Sequence, residues 1–211
     1  MNQVTVNVGT LAEDAGLTVR TIQHWSDVGV LRPTLATRNQ GKGKHKEFDA
    51  SAPYFGERTW ARIAGRLAQM GAPVGNIKLI IDRMRVFSTD WIEDGLAKKA
   101  PHVSMDMLLS TDPVGLALLG RAVILAVAVD DNKEVMWCQA LNVASPDDVK
   151  KETVWSAEHA ARIGLPGEKF TTFDEVEVRI PYEFIAEFPA FYMLNLSLIL
   201  KPLVDEKAKE A

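Results

Sequence analysis

The stretch Ala15-Gly16-Leu17-Thr18-Val19-Arg20-Thr21-Ile22-Gln23-His24-Trp25-Ser26-Asp27-Val28-Gly29 decides how the first part of this chain folds. Gly16 suits a left-handed residue in a tight turn. Thr18 is a natural N-cap, so a helix is expected over 18–28, ended by Gly29. Val19, Ile22, Trp25 and Val28 recur at helical spacing and form its expected buried stripe. The remaining face is polar: Arg20, Thr21, Gln23, His24 and Asp27.

Upstream, Val8 to Ala15 fits a helix with Leu11, Ala12 and Ala15 on one face. Asn7 or Thr10 caps it, and Thr10-Leu11-Ala12-Glu13 has capping-box form. Val4-Thr5-Val6 reads as a short strand. Downstream, Leu31-Arg32-Pro33 leads out of the second helix into residues 34–48, which have no helical period. Asn39-Gln40-Gly41-Lys42-Gly43 is a turn signal, so a β-hairpin with a basic tip is expected there. A long helix follows from Ser51 to Met70, with Phe55, Ile63, Leu67 and Met70 toward a core. Gly71 stops it, and a last helix runs from about Pro73 through Ile77, Ile80 and Ile81 to Met84.

The net charge of −4 over 211 residues conceals an asymmetry. Residues 1–86 carry 12 Lys+Arg against 7 Asp+Glu, and residues 87–211 carry 12 against 21. A basic module can meet phosphates, and an acidic one is repelled from them. Uneven partition by chance is the bland alternative. Cys138 is the one cysteine, which excludes an intramolecular disulfide and fits a reducing, cytoplasmic setting. The start has no basic and apolar leader pattern. The apolar runs Ala122–Val129 and Met193–Leu200 are too short to span a bilayer.

A helix of this kind fits the major groove with its first turns toward base edges. Thr18 and Arg20 lie in the first turn, and Arg20 suits guanine or a phosphate. The Gln23 amide suits adenine. Thr21 and His24 share the polar face. Arg38, Lys42, Lys44, His45 and Lys46 put positive charge along a basic wing, 38–46, toward neighbouring phosphates. Each has a plainer reading as well: Arg20 as a solvated helix residue, His24 as a surface histidine, the lysines as a solvated hairpin tip, and Trp25 as core. His24, His45, His102 and His159 include no i,i+3 or i,i+4 ligand pair, so no metal is expected. No phosphate loop, nucleophile elbow or paired-carboxylate signature is present, so neither cofactor nor enzymatic activity is expected.

The order of these parts resembles the N-terminal domain of the MerR family of transcription regulators. The residues that carry the resemblance are Val8-Gly9-Thr10-Leu11-Ala12, Ala15-Gly16-Leu17-Thr18, Val19-Arg20-Thr21-Ile22-Gln23-His24-Trp25, Gly29-Val30-Leu31-Arg32-Pro33, Lys44-His45-Lys46-Glu47-Phe48 and Leu67-Ala68-Gln69-Met70-Gly71 with Ile77-Lys78. The resemblance implies double-stranded DNA as partner, a homodimer and distortion of promoter DNA. His24 and Trp25 stand where the family uses an aromatic pair against the backbone. The long dimerisation helix usual in the family is interrupted here by Ser88-Thr89-Asp90 and Gly95, with no sustained heptad.

The remainder reads as strands and helices. Ala122–Val129 and Glu134–Leu141 flank a turn at Asp130-Asp131-Asn132-Lys133. Trp155–Gly164 is expected to be helix, Phe173–Ile180 and Phe191–Leu200 strands, and Lys207–Ala211 a frayed tail. The expected class is α+β: a winged helix-turn-helix domain over residues 1–86, a helical linker over 87–120, and an α+β domain with an antiparallel sheet over 121–211. That last domain would oligomerise or bind a small-molecule or protein effector, its aromatics making core or lining a pocket. The function expected is a sequence-specific DNA-binding transcriptional regulator. The alternative is an architectural or adaptor protein of recombination or packaging, whose acidic C-terminal domain binds a protein partner.

Overall fold

The computed structural model describes residues 4–38, 46–50, 56–90, 112–119, 122–143, 169–173, 176–180, 184, 187–188 and 190–210. The chain divides into two compact units, Met1–Val103 with Pro202–Ala211, and Ser104–Lys201. The architecture is mixed helix and antiparallel sheet.

In the first unit, β1 (Thr5–Asn7) runs into α1 (Val8–Ala15), whose N-cap is Asn7 rather than Thr10: the Asn7 carboxamide accepts from the Thr10 N–H at 3.0 Å. α2 (Val19–Asp27) follows after Gly16, which sits at φ 63° as expected. The Leu17 N–H reaches back to the Ala12 carbonyl at 2.8 Å and closes α1. α4 (Glu57–Gln69) packs against α1. A Cβ at Gly65 would stand 2.8 Å from the Ala15 carbonyl oxygen, so only glycine lets α4 pass this close to the end of α1. α5 (Val74–Arg85) packs on α4 and continues into a π-helical turn over Val86–Asp90. Leu11, Ile22, Trp25, Trp60, Ile63 and Ile80 form the centre of the core.

Two readings of this region change. Val19 and Val28 are 46% and 38% exposed, leaving Ile22 and Trp25 as the buried stripe of α2. The reason is geometric: steps of three in a helix of 3.6 residues per turn drift by about 60° each, so the ends of such a row face opposite sides. The hairpin's first arm is a helical turn, α3 (Leu35–Arg38), not extended chain. Thr34 and Thr37 drive this, their hydroxyls 3.0 Å apart and the Thr37 N–H on the Thr34 carbonyl at 3.0 Å. The return arm β2 (Glu47–Asp49) pairs antiparallel with β1, Val6 facing Phe48. The base of the loop is nevertheless closed, with Pro33 bridged to Phe48 and the Thr34 N–H on the Glu47 carbonyl at 2.8 Å.

In the second unit, α6 (Pro113–Leu118) is capped by Asp112, which accepts from the Gly115 N–H at 2.6 Å. The expected hairpin is present as β3 (Ala122–Val129) and β4 (Val135–Val143). Its turn is held by Asp130, whose carboxylate accepts from the Glu134 N–H at 2.7 Å. β7 (Tyr192–Asn195) pairs with the other edge of β3, giving the antiparallel order β4-β3-β7. Phe184, Phe188 and Phe191 pack on Ile124, Ala126 and Ala128, which makes these aromatics core.

The strand expected over Phe173–Ile180 is two strands, β5 (Lys169–Phe173) and β6 (Val176–Ile180), with Phe173 opposite Val176. Two strands in register reproduce the alternation that one strand would show. The strand expected over Phe191–Leu200 stops at Asn195, whose side chain accepts from the Leu198 N–H at 3.2 Å and opens α7 (Leu196–Glu210). α7 carries the charged tail as helix to Glu210, where a frayed end was expected. The helix expected at Trp155–Gly164 lies outside the described residues. Among the described residues no helix is long and apolar enough to cross a membrane.

Candidate nucleic-acid interface

The outer face of α2 is built from its cap upward. Thr18 turns the chain into the helix, its hydroxyl accepting from the Thr21 N–H at 3.1 Å and lying 2.9 Å from the Thr21 hydroxyl. The two hydroxyls are thus bonded to each other, with one O–H donor and further lone pairs left over. With Ile22 and Trp25 buried against α1, the opposite side presents Arg20, Gln23 and His24, all exposed. Their side chains make no hydrogen bond or ion pair among the described residues, so a row of cationic, amide and imidazole groups faces outward from one short helix. Trp25 is 2% exposed, which settles it as core.

The exit from α2 is fixed by a buried charge cluster that the sequence did not announce. Val30 and Leu31 are fully buried, and both N–H groups return to the Trp25 carbonyl. The Arg32 N–H donates to Glu57 Oε2 at 2.9 Å. The Arg85 guanidinium donates to both Glu57 oxygens at 2.9 Å and to the Val30 carbonyl at 3.3 Å, and lies 5.5 Å over the Trp60 ring. Burial pushes the Glu57 carboxyl up from its ordinary value, with Arg85 opposing. Burial likewise pulls Arg85 down, with Glu57 opposing. Glu57 opens α4 and Arg85 closes α5, the ends where the helix dipoles favour those charges. In sequence each looks like an ordinary helix-end charge, and their 28-residue separation leaves no local signal.

Further ties hold the frame. Arg32 is ion-paired to Asp82 at 3.1 Å, and Asp82 also takes Lys78. Within the first unit, Arg58 on α4 grips Asp14 on α1 at 2.5 Å and Glu206 of the Pro202–Ala211 stretch at 2.8 Å. The hydrogen bond to Asp14, against burial, holds the Arg58 guanidinium above its ordinary value.

Of the expected basic wing, Lys42, Lys44 and His45 lie outside the described residues, and Arg38 is placed at the end of α3 by its backbone alone. Lys46 is placed in full. Its ammonium donates to the Ser26 hydroxyl at 2.9 Å and to Asp27 at 2.5 Å, latching the base of the loop to the end of α2. An open cleft of about 530 Å³ lies beside this latch, lined by Leu31, Pro33, Lys46, Lys78 and Asp82 among others. Cys138 lies on β4 opposite Ala126.

Residues 6–43 match the family model described as MerR HTH family regulatory protein. No curated protein matches the chain. The matched span covers α1, the glycine turn, α2, the exit through Arg32-Pro33 and α3. Residues 6–43 are therefore a helix-turn-helix of the MerR type.

Proposed function

We propose that this protein is a sequence-specific, DNA-binding regulator of transcription that inserts α2 into the major groove. The observation that carries the reading is the solvent-facing row Arg20, Gln23 and His24 on a helix whose opposite side is sealed into the core. Arg20 pairs with guanine or grips phosphate, and Gln23 reads adenine through its amide. Residues 38–46 serve as a wing, with Arg38, Lys42, Lys44 and His45 against the backbone and Lys46 holding the wing's base. The protein acts as a homodimer on a two-part operator, and the acidic second unit serves oligomerisation or an effector.

Gel-shift titration at two salt concentrations tests this. Arg20→Ala weakens binding to the selected site. Lys44→Ala weakens binding to that site and to random duplex and lowers the salt slope by about one. Unchanged affinity in both variants overturns the assignment. Genome-wide footprinting separates a regulator from an architectural protein: discrete operators support the first, and evenly spread occupancy the second.

A further inference from the structure

We propose that Val19 is a specificity-determining residue that recognises the C5 methyl group of a thymine beside the bases read by Arg20 and Gln23. The inference rests on α2 being the DNA-reading helix. An exposed valine by itself means little, because single apolar residues are common on protein surfaces. The setting of this one gives it meaning. Val19 opens α2 and is 46% exposed, whereas Leu11, Ala12, Ala15, Ile22 and Trp25 of the same helix pair are each at most 8% exposed. A β-branched residue is also a modest helix former at that place.

Its position is the informative part. Gln23 lies four residues on, so the two side chains form one ridge along the outer side of the helix. Arg20 is its chain neighbour and is exposed as well. The Thr18 and Thr21 hydroxyls are bonded to each other, and the pair keeps one O–H donor and further lone pairs for a base edge. Beside these hydroxyls the first turn offers one cation and one apolar surface, with an amide a turn later. In the major groove, only thymine presents an apolar group, its C5 methyl, and aliphatic side chains recognise it by excluding water between them. Arginine, glutamine and valine in this arrangement read three different base-pair faces.

The experiment begins with the full-length chain and a pool of random duplexes, from which bound sequences are selected. Each thymine of the selected site is then replaced singly by uracil, which removes the methyl and leaves the pairing edge intact. Wild-type protein is expected to lose about three- to fivefold in affinity at one thymine per half-site, the scale of one buried methyl group. Val19→Ala is expected to show less than a twofold loss at that same thymine and unchanged discrimination at the positions read by Arg20 and Gln23. Val19→Ser is measured beside it, and melting curves of both report folding. Wild-type protein indifferent to every methyl deletion overturns the inference, as do variants that keep full sensitivity. Both results leave the DNA-binding reading standing. A pool that yields no enriched sequence overturns that reading and this inference together.

Discussion

Glu57 shows how much one side chain can hold. Its carboxylate serves the Arg32 N–H and the Arg85 guanidinium at once, so it connects the exit of α2, the start of α4 and the end of α5. Removing one member of a buried ion pair leaves the other charge uncompensated, at a cost of about 3–5 kcal/mol. Glu57→Gln is therefore expected to lower stability by that order in urea titration, and Glu57→Gln with Arg85→Met to recover part of it. A double variant no better than the single one would show that the stranded guanidinium is not the cause. The pH dependence has a defined sign. A carboxyl whose folded value lies above its unfolded value adds stability below the ordinary carboxyl range and loses it as pH rises through the folded value. At this scale the sequence was half legible. Thr18 as a cap, Gly16 as a left-handed turn and Trp25 as core followed from local chemistry. Glu57 and Arg85 did not, because their meaning is a contact between distant helices.

At the scale of elements, the two helices of the turn were readable because each is closed by its own residues, while the loop after them was not. Thr34 and Thr37 form a local helical turn, and β2 finds β1 forty residues back instead of the arm beside it. Alternation could not distinguish one strand from the β5–β6 pair for the same reason: periodicity records which side a residue faces, not which partner it meets. The Lys46 latch belongs to this scale, since it joins the loop to α2. Lys46 is 18% exposed in its side chain and Asp27 is 64% exposed, so the pair itself is worth only about 0.2–1 kcal/mol. Its effect should appear in orientation. Lys46→Ala is expected to reduce discrimination between the selected site and random duplex while leaving the salt slope unchanged, in contrast to Lys44→Ala. Asp27→Ala should produce the same loss, and the double variant should add little to either. A salt slope that falls by about one in Lys46→Ala would make this lysine a phosphate contact instead.

For the whole molecule, charge and compactness point the same way. The excess of basic groups lies in residues 1–86 and the excess of acidic ones in 87–211, and the chain folds as two compact units. Most of the first unit's helix-turn-helix was legible from the sequence, and the hairpin β3–β4 of the second was too, but the acidic half carries no short motif that says what it binds. The two units are expected to unfold as separate transitions in calorimetry of the full chain. Glu57→Gln marks the first unit, because it should lower one transition and leave the other in place. Selected duplex DNA should raise that same transition and no other, since a ligand stabilises only the unit it binds, by about 2.7 kcal/mol at a hundredfold excess over Kd. A single transition moved by both perturbations would mean that the units fold as one. A duplex that raises the transition insensitive to Glu57→Gln would place DNA on the acidic unit, and the proposed role of α2 would fall with it.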